Sequence, residues 1–431
     1  MNRARRSMSR NGALPLAIGG WLAIFPVSGQ SLPPAQTIQQ TLNRSTTVSP
    51  TDSITPDDMT GTGATPLADV TAQPGGILHS RLPVQLGLTA GGYYDDNIYV
   101  QPDGGRKVSD YIWSLSPLIA WNSAAQTGVQ NSIQLAYAPA LIFYQDQTQN
   151  DTLDEAANAT YGFEDGRTRL TVSEAYSTFQ ESNADYGNLT METSSITAVT
   201  LDYQLTAKTS LDLFAQQVFI QDDPGLRSTE WTQSAYLTYD PTPKTSFGLG
   251  GLVGVADLQG PNQTYEQVNG RVNYDPDTKL SFNLTAGLEF RETEDHGGAN
   301  VTPDFSLGLA YQPFDGTNAG LNAYRRYEYS GRFFGDDYLA TGVSAFVSQR
   351  FVHKFYLILS GAFENAQYRD NFSDSDTGQG YNYLSIRPEL AYTPVSGCEL
   401  KIFYQYRDNL AHGGIASFTD DQLGFSAAFT Y

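Results

Sequence analysis

The sequence predicts an all-β protein: a transmembrane antiparallel up-and-down β-barrel of about 18 strands, with short periplasmic turns and long acidic outer loops. Three observations predict it. Apolar residues step by two from Val84 to the last residue, the mark of strands with two unlike faces. The connections alternate between tight turns and longer Gly/Asn/Asp-rich segments, an asymmetry expected of outer-membrane barrels. Aromatic side chains stand immediately before the tight turns, where amphipathic rings suit the lipid headgroup level.

Composition narrows the function classes. The 431 residues carry 46 acidic and 25 basic side chains, a net charge of −21, yet only 16% are charged. Soluble domains carry roughly 25%, so the charge must be placed unevenly. An acidic excess argues against nucleic-acid binding, which needs a basic face. Beyond the first thirty positions no apolar run reaches the roughly 20 residues of a membrane helix. The single cysteine, Cys398, forms no internal disulfide, and His79, His296, His353 and His412 stand far apart.

Residues 1–29 read as a secretory signal peptide: Arg3, Arg5, Arg6 and Arg10, an apolar stretch from Ala13 to Val27, and the small-residue site Val27-Ser28-Gly29. The alternative, a membrane anchor, needs more apolar residues and fewer prolines and glycines than Pro15, Gly19, Gly20 and Pro26 leave. Residues 30–83 are rich in Ser, Thr, Gln and Pro and bury too little apolar area to offset ordering entropy, so a disordered periplasmic leader is expected.

Residues 84–431 form the expected barrel. Val84, Leu86, Leu88 and Ala90 share one face; Tyr111, Trp113, Leu115, Pro117, Ile119 and Trp121 repeat the pattern, as do Ile133, Leu135, Tyr137, Pro139, Leu141 and Phe143. Later runs include Phe247-Leu249-Gly251-Val253-Val255, Leu280 to Phe290, Phe355 to Phe363 and Leu423 to Tyr431, each in steps of two. The runs around 167–179, 210–220 and 318–329 are ambiguous in phase, which leaves sixteen strands as the alternative. Aromatic turn markers are Trp121, Phe163, Tyr203, Tyr239, Tyr274, Tyr311, Phe351 and Tyr392, with Tyr431 at the end. A soluble sandwich would turn the apolar rows inward, but the opposite face, as in Ser281-Asn283-Thr285-Gly287-Glu289-Arg291, is too polar for a dry core. A propeller would repeat at a fixed period, and the spacing here is uneven.

Gly92-Tyr93-Tyr94-Asp95-Asp96-Asn97-Ile98-Tyr99, followed by Asp110 to Pro117, resembles the opening of bacterial outer-membrane β-barrel porins. The terminal Phe425, Phe429 and Tyr431 are similar to the strand that the barrel-assembly machinery recognises in such proteins, with Tyr in place of the commoner Phe. The resemblance covers 84–431 and implies a bacterial outer-membrane location. It implies contact with outer-membrane lipid and lipopolysaccharide and, through relatives linked to exopolysaccharide export, polysaccharide as a further partner.

Reactive constellations are absent from the sequence: it holds no HExxH, no phosphate-cradling GxxxxGK[ST] and no CxxC. Gly342-Val343-Ser344-Ala345-Phe346 lacks the closing glycine of a nucleophile elbow. Glu292, Glu294, Asp295 and His296 read as a solvated acidic loop before they read as a metal site. No catalytic residue, cofactor or metal is expected.

The candidate residues lie on the polar parity of the later strands: Arg271, Glu289, Arg291, Asp304, Arg326, Glu328, Arg387, Glu389, Lys401 and Arg407. A charge facing mid-bilayer lipid costs about 2–4 kcal/mol, so these groups should point into the lumen. There they either select solutes by their field or brace the wall as ion-pair ladders. Arg325 beside Arg326 breaks the alternation and suggests a bulge.

Three functions follow: a pore for hydrophilic solutes with an in-folded loop and lumen charges as its filter; an exopolysaccharide conduit in which Tyr93, Tyr324 and Phe403 stack on sugar rings; or a structural or adhesive barrel acting through its outer loops. The pore ranks first. The inferred outer windows (95–107, 146–155, 181–192, 221–230, 257–266, 292–300, 331–337, 369–380 and 408–421) hold 26 acidic and 5 basic residues. Lys208, Lys244, Lys279 and Lys354 instead flank the short turns. The expected molecule is a near-neutral barrel under an acidic crown that could recruit divalent cations.

Overall fold

In the computed structural model each period-two run pairs with the next and the last strand returns to the first. The structure describes residues 84–431 apart from 124–130, 184–187, 224, 226, 278, 295–299, 331–335, 371–374 and 414–416. The signal peptide and leader, and Asp295 and His296, lie outside the described residues.

The strands are β1 (Val84–Asp95), β2 (Asp110–Asn122), β3 (Asn131–Tyr137), β4 (Ala140–Tyr144), β5 (Thr152–Glu164), β6 (Thr168–Asn183), β7 (Asn188–Thr206), β8 (Thr209–Asp223), β9 (Arg227–Thr242) and β10 (Thr245–Leu258). They continue through β11 (Gln263–Asp277), β12 (Leu280–Thr293), β13 (Asn300–Tyr311), β14 (Thr317–Tyr329), β15 (Asp336–Val352), β16 (Phe355–Asp370), β17 (Ser375–Val395), β18 (Cys398–His412) and β19 (Phe418–Thr430). Both β3 and β4 pair with β2 on one side and with β5 on the other. They are two halves of one stave, interrupted where Pro139 has no N–H to give the ladder. Eighteen staves therefore close the barrel, and the sixteen-strand alternative falls. The ambiguous runs are staves of their own, in β6, β8 and β14.

The seam is β1 against β19, from Gly87↔Thr430 to Asp95↔Gln422. The backbones of Leu86 and Tyr431 exchange hydrogen bonds of 3.0 and 2.7 Å, so the final residue still closes the wall. Phe425, Phe429 and Tyr431 all stand exposed on its outer face.

Parity decides what each face meets. Tyr111, Trp113, Leu115 and Ile119 of β2 are exposed, while Asp110, Ile112, Ser114 and Leu118 between them are buried. Leu249, Val253 and Val255 of β10 point out in the same way. A closed sheet leaves no unpaired edge, which is the condition for crossing a bilayer with strands. The outward apolar rows match the lipid-facing band of such barrels. The protein is a closed, membrane-spanning β-barrel.

The short-turn end carries a repeated clasp. Tyr239-Asp240-Pro241, Tyr274-Asp275-Pro276, Tyr311-Gln312-Pro313 and Tyr392-Thr393-Pro394 each end a strand that runs into a short turn. The Lys208 ammonium donates to the Pro241 carbonyl at 3.0 Å and that of Lys279 to Pro313 at 3.2 Å. Lys244 and Lys354 reach Pro276 and Pro394 in the same manner. The backbone repeats the link: Asp240, Asp275, Gln312 and Thr393 N–H groups donate to the carbonyls of Lys208, Lys244, Lys279 and Lys354.

At the other end the staves reach further than the sequence windows suggest. Only 184–187 separate β6 from β7, and only 371–374 separate β16 from β17. Polar residues there continue the ladder because cross-strand pairing, not lipid, satisfies their backbone. The longest outer connection between described strands is 96–109, between β1 and β2.

Candidate functional site

That connection folds into the barrel. Among its Asp, Gly and Gln residues stand Ile98 and Val100, both fully shielded from solvent at 2% and 0% exposure. Asn97, also buried, holds the turn: its backbone N–H donates to Asp95 Oδ1 at 2.7 Å, and its side chain accepts from Gln101 N–H at 2.8 Å. The Asn97 amide donates to the Thr419 carbonyl on β19 at 3.0 Å. Asp103 N–H reaches the Ser417 carbonyl at 2.8 Å, and Lys107 bonds Asp96 and Thr419 at 3.1 and 3.0 Å. With these ties, Val100 joins the buried cluster of Tyr324, Tyr338, Tyr368 and Tyr381, carried by β14 to β17, and Phe418 of the adjacent β19. Ile98 packs among Tyr93, Ile112, Ile142, Tyr144 and Phe403.

A second element, from β14 and β15, also enters the lumen. The ladder between β13 and β14 runs from Tyr311↔Ala319 to Phe305↔Arg325 and stops, although β13 continues to Asn300 and β14 to Tyr329. Beyond that point β14 stays paired with β15 as far as Tyr329↔Asp337. The tip of this hairpin therefore leaves the wall and leans inward. Its side chains meet staves that are not neighbours: the Tyr329 hydroxyl bonds Glu230 of β9 at 3.2 Å, and Gln263 of β11 donates to Asp337 at 2.8 Å. The split itself is bridged, with Tyr327 and Thr302 hydroxyls 2.8 Å apart and Arg369 donating to Tyr327 at 2.7 Å. The expected bulge at Arg325 and Arg326 is thus a departure from the sheet: Arg325 is the last residue paired to β13, and Arg326 the first of the leaning tip.

All ten candidate charges lie on the inward parity of their strands, and the structure brings most of them together. Arg291 holds Glu289 at 2.7 Å and Gln263 at 2.6 Å, with its guanidinium over the Tyr265 and Tyr327 rings at 4.5 and 4.7 Å. Arg326 pairs with Glu328 at 2.8 Å. Glu389 sits between Arg387 and Lys401, 3.4 Å from each, and Lys401 also reaches Glu399 at 3.3 Å. Arg407 bonds Asp420 at 2.7 Å and lies 4.0 Å from Asp95. Arg271 joins none of these pairs and stacks on the Tyr236 ring of β9. Asp304 is likewise apart, with one carboxylate oxygen buried and unpartnered.

Neutral rings fill the space between. Tyr324 lies over Gly342 of the next strand, where an added Cβ would sit 2.4 Å from the ring, and it donates to Glu364. Tyr265 covers Gly254 in the same way and donates to Glu230. Tyr93, Tyr324 and Phe403, expected to offer faces to sugars, are themselves buried in the two clusters. Part of the acidic crown also turns inward: Asp95, Asp110, Asp337 and Asp420 are at most 2% exposed. Asp95, Asp96 and Asp420 present one carboxylate oxygen each within 4.8 Å of one another, a geometry that could hold a cation. Arg407 and Lys107 already answer two of them.

Sequence reasoning missed Asn97, Ile98, Val100, Glu230 and Tyr329. The signal for the loop was present: two β-branched apolar residues inside a Gly/Asp-rich outer connection have no reason to face water.

No family model and no curated protein matches the chain. Solved structures align with it over most of its length. Pseudomonas aeruginosa OpdQ is 11% identical with a TM-score of 0.43, covering 82% of this chain and 99% of that one. Pseudomonas aeruginosa OccK9 is 11% identical with a TM-score of 0.45, covering 81% and 98%. Acinetobacter baumannii OccAB4 is 13% identical with a TM-score of 0.43, covering 81% and 98%. The strand register of this chain, not a likeness of that degree, carries the barrel.

Proposed function

We propose that the protein is a channel for small hydrophilic solutes, with the 96–109 loop and the β14–β15 tip as its constriction. One observation carries the reading: inward charges of both signs line a lumen into which the loop and the tip both fold, with Val100 clustered among Tyr324, Tyr338, Tyr368 and Tyr381. A barrel of eighteen staves is wide enough for an aqueous channel. A loop held by side-chain bonds then sets the aperture, and the fixed charges set a transverse field that orients polar solutes. The covered faces of Tyr93, Tyr324 and Phe403 favour small solutes over a polymer that needs exposed stacking platforms.

The test is planar-bilayer recording of the purified protein beside a variant lacking residues 98–106. The expected result is a small, ion-selective conductance in the parent and a larger, less selective one in the deletion. No current from either, with both folded, would overturn the proposal.

A further inference from the structure

One arc of the outer face breaks the rule that lipid meets only apolar side chains. By the ladder Glu174↔Thr197↔Gln217, these residues of β6, β7 and β8 form a row across the sheet on the outward parity. Leu170 and Val172 lie below Glu174 on that parity and Tyr176 above it; Gln233 of β9 lies beneath Trp231 in the same way. The row is therefore inside the apolar band, not in the crown. The corresponding outward positions of β10 carry Leu249, Val253 and Val255. The Ser195 hydroxyl donates to Glu174 at 2.7 Å and the Thr197 hydroxyl donates to its other oxygen. A carboxylate oxygen still has capacity for a further donor. Gln217 and Gln233 are exposed, and their amides have no partner among the described residues. Small residues, Ala159, Ala215 and Ala235, flank the row and let another backbone approach closely.

We propose that this face is covered by a second copy of the chain, in a two-fold dimer whose axis runs along the membrane normal over β7. The surface is complementary to itself: the acceptor, Glu174, lies on one side of β7, and the donors, Gln217 and Gln233, lie on the other. A two-fold rotation brings the acceptor of each copy to the donors of its partner, which is the requirement of an isologous contact. Lipid tails offer Glu174 nothing. The outward Arg325 of β14 lies nearly on the opposite side of the barrel, so pairing it with Glu174 of another copy would extend an open chain instead of closing.

The experiment uses the full chain with Cys398→Ser, carrying Thr197→Cys on the axis or, as control, Val253→Cys on the outer face of β10. Oxidation in outer-membrane vesicles should cross-link the Thr197→Cys protein to twice its mass and leave the control monomeric. Sedimentation in lipid nanodiscs should show a dimer for the parent and a monomer for Glu174→Leu, with single-channel conductance per barrel unchanged. Glu174→Gln, which keeps the hydrogen bonds, should remain dimeric and serves if Glu174→Leu does not fold. A monomeric parent, or cross-linking only to another protein or only as much as the control, would overturn the proposal.

Discussion

The Tyr329 hydroxyl of β14 and the Glu230 carboxylate of β9 meet at 3.2 Å although β10 to β13 stand between their strands in the wall. Neighbouring strands lie about 4.8 Å apart, so these two side chains touch only because the hairpin tip has left the cylinder. Replacing Glu230 by Ala removes the acceptor of both Tyr329 and Tyr265. The expected outcome is a freed tip and a larger, noisier single-channel conductance at a thermal midpoint close to that of the parent. An unchanged current trace would mean that the tip is held by Gln263 and Asp337 alone.

Val100 carries φ of 43°, a left-handed conformation that a β-branched residue rarely adopts. Strain of this kind costs about 1–3 kcal/mol, while burying a valine contributes roughly 1.5–3 kcal/mol. Val100→Gly relieves the first and forfeits the second, so its stability should stay within about 2 kcal/mol of the parent by the same figures. The aperture should not: with no side chain against Tyr324 and Phe418, conductance should rise. A stability gain without a change in conductance would show that the loop does not define the passage.

The residues that could be read in advance are those whose partners are local. Glu289 with Arg291, Arg326 with Glu328, Arg387 with Glu389 and Glu399 with Lys401 are each two apart, hence on one face and within reach. Period two likewise exposed the staves of β2, β10 and β12. It failed at β6 and β14 for identifiable reasons. On β6 the outward parity itself carries Glu174, so its hydrophobic contrast vanishes; on β14 the strand leaves the sheet halfway. The cluster that joins Val100 to Tyr324 of β14 brings together segments far apart in the chain and not paired in the sheet, and no local pattern encodes which staves a folded-in loop will meet.

Glu389 is shared by Arg387 and Lys401, so Glu389→Gln leaves two cations facing one another with a neutral amide between. One charge changing the local potential by about 1 kcal/mol shifts a permeability ratio about fivefold. The expected direction is toward anions, read as a displaced reversal potential under a salt gradient. Arg387→Gln should move the potential the other way. Equal shifts of the same sign would refute a lumen filter at this site.

The lysine clasps act on neutral acceptors. Lys279 bonds a proline carbonyl, so added salt should screen it less than an exposed ion pair, whose strength falls within a Debye length of about 10 Å at 0.1 M. Each clasp is exposed and should contribute about 0.5–1 kcal/mol at most. Single Lys→Met variants should melt almost as the parent does. The fourfold variant at 208, 244, 279 and 354 should melt measurably lower, by the same amount at low and high salt. A deficit present only at low salt would show that the lysines act as charges on the rim.

Gly254 tests whether the tyrosines of the lumen are placed by the backbone beneath them. A Cβ there would lie 2.1 Å from the Tyr265 ring, and real atoms never come so close. The ring cannot slide along the wall without losing Glu230, which it bonds, and the Arg291 guanidinium stacked on it at 4.5 Å. Gly254→Ala must therefore lift Tyr265 toward the lumen axis. Overpacking of this kind costs about 1–3 kcal/mol, and the lifted ring should narrow the passage. Lower stability together with lower conductance is the expected pair of results. Gly251→Ala on the same strand faces outward, where its Cβ would crowd the Gln267 carbonyl at 2.9 Å, so it should cost stability but leave the current unchanged. Equal effects at both positions would mean that β10 responds to strand propensity and not to the ring above it.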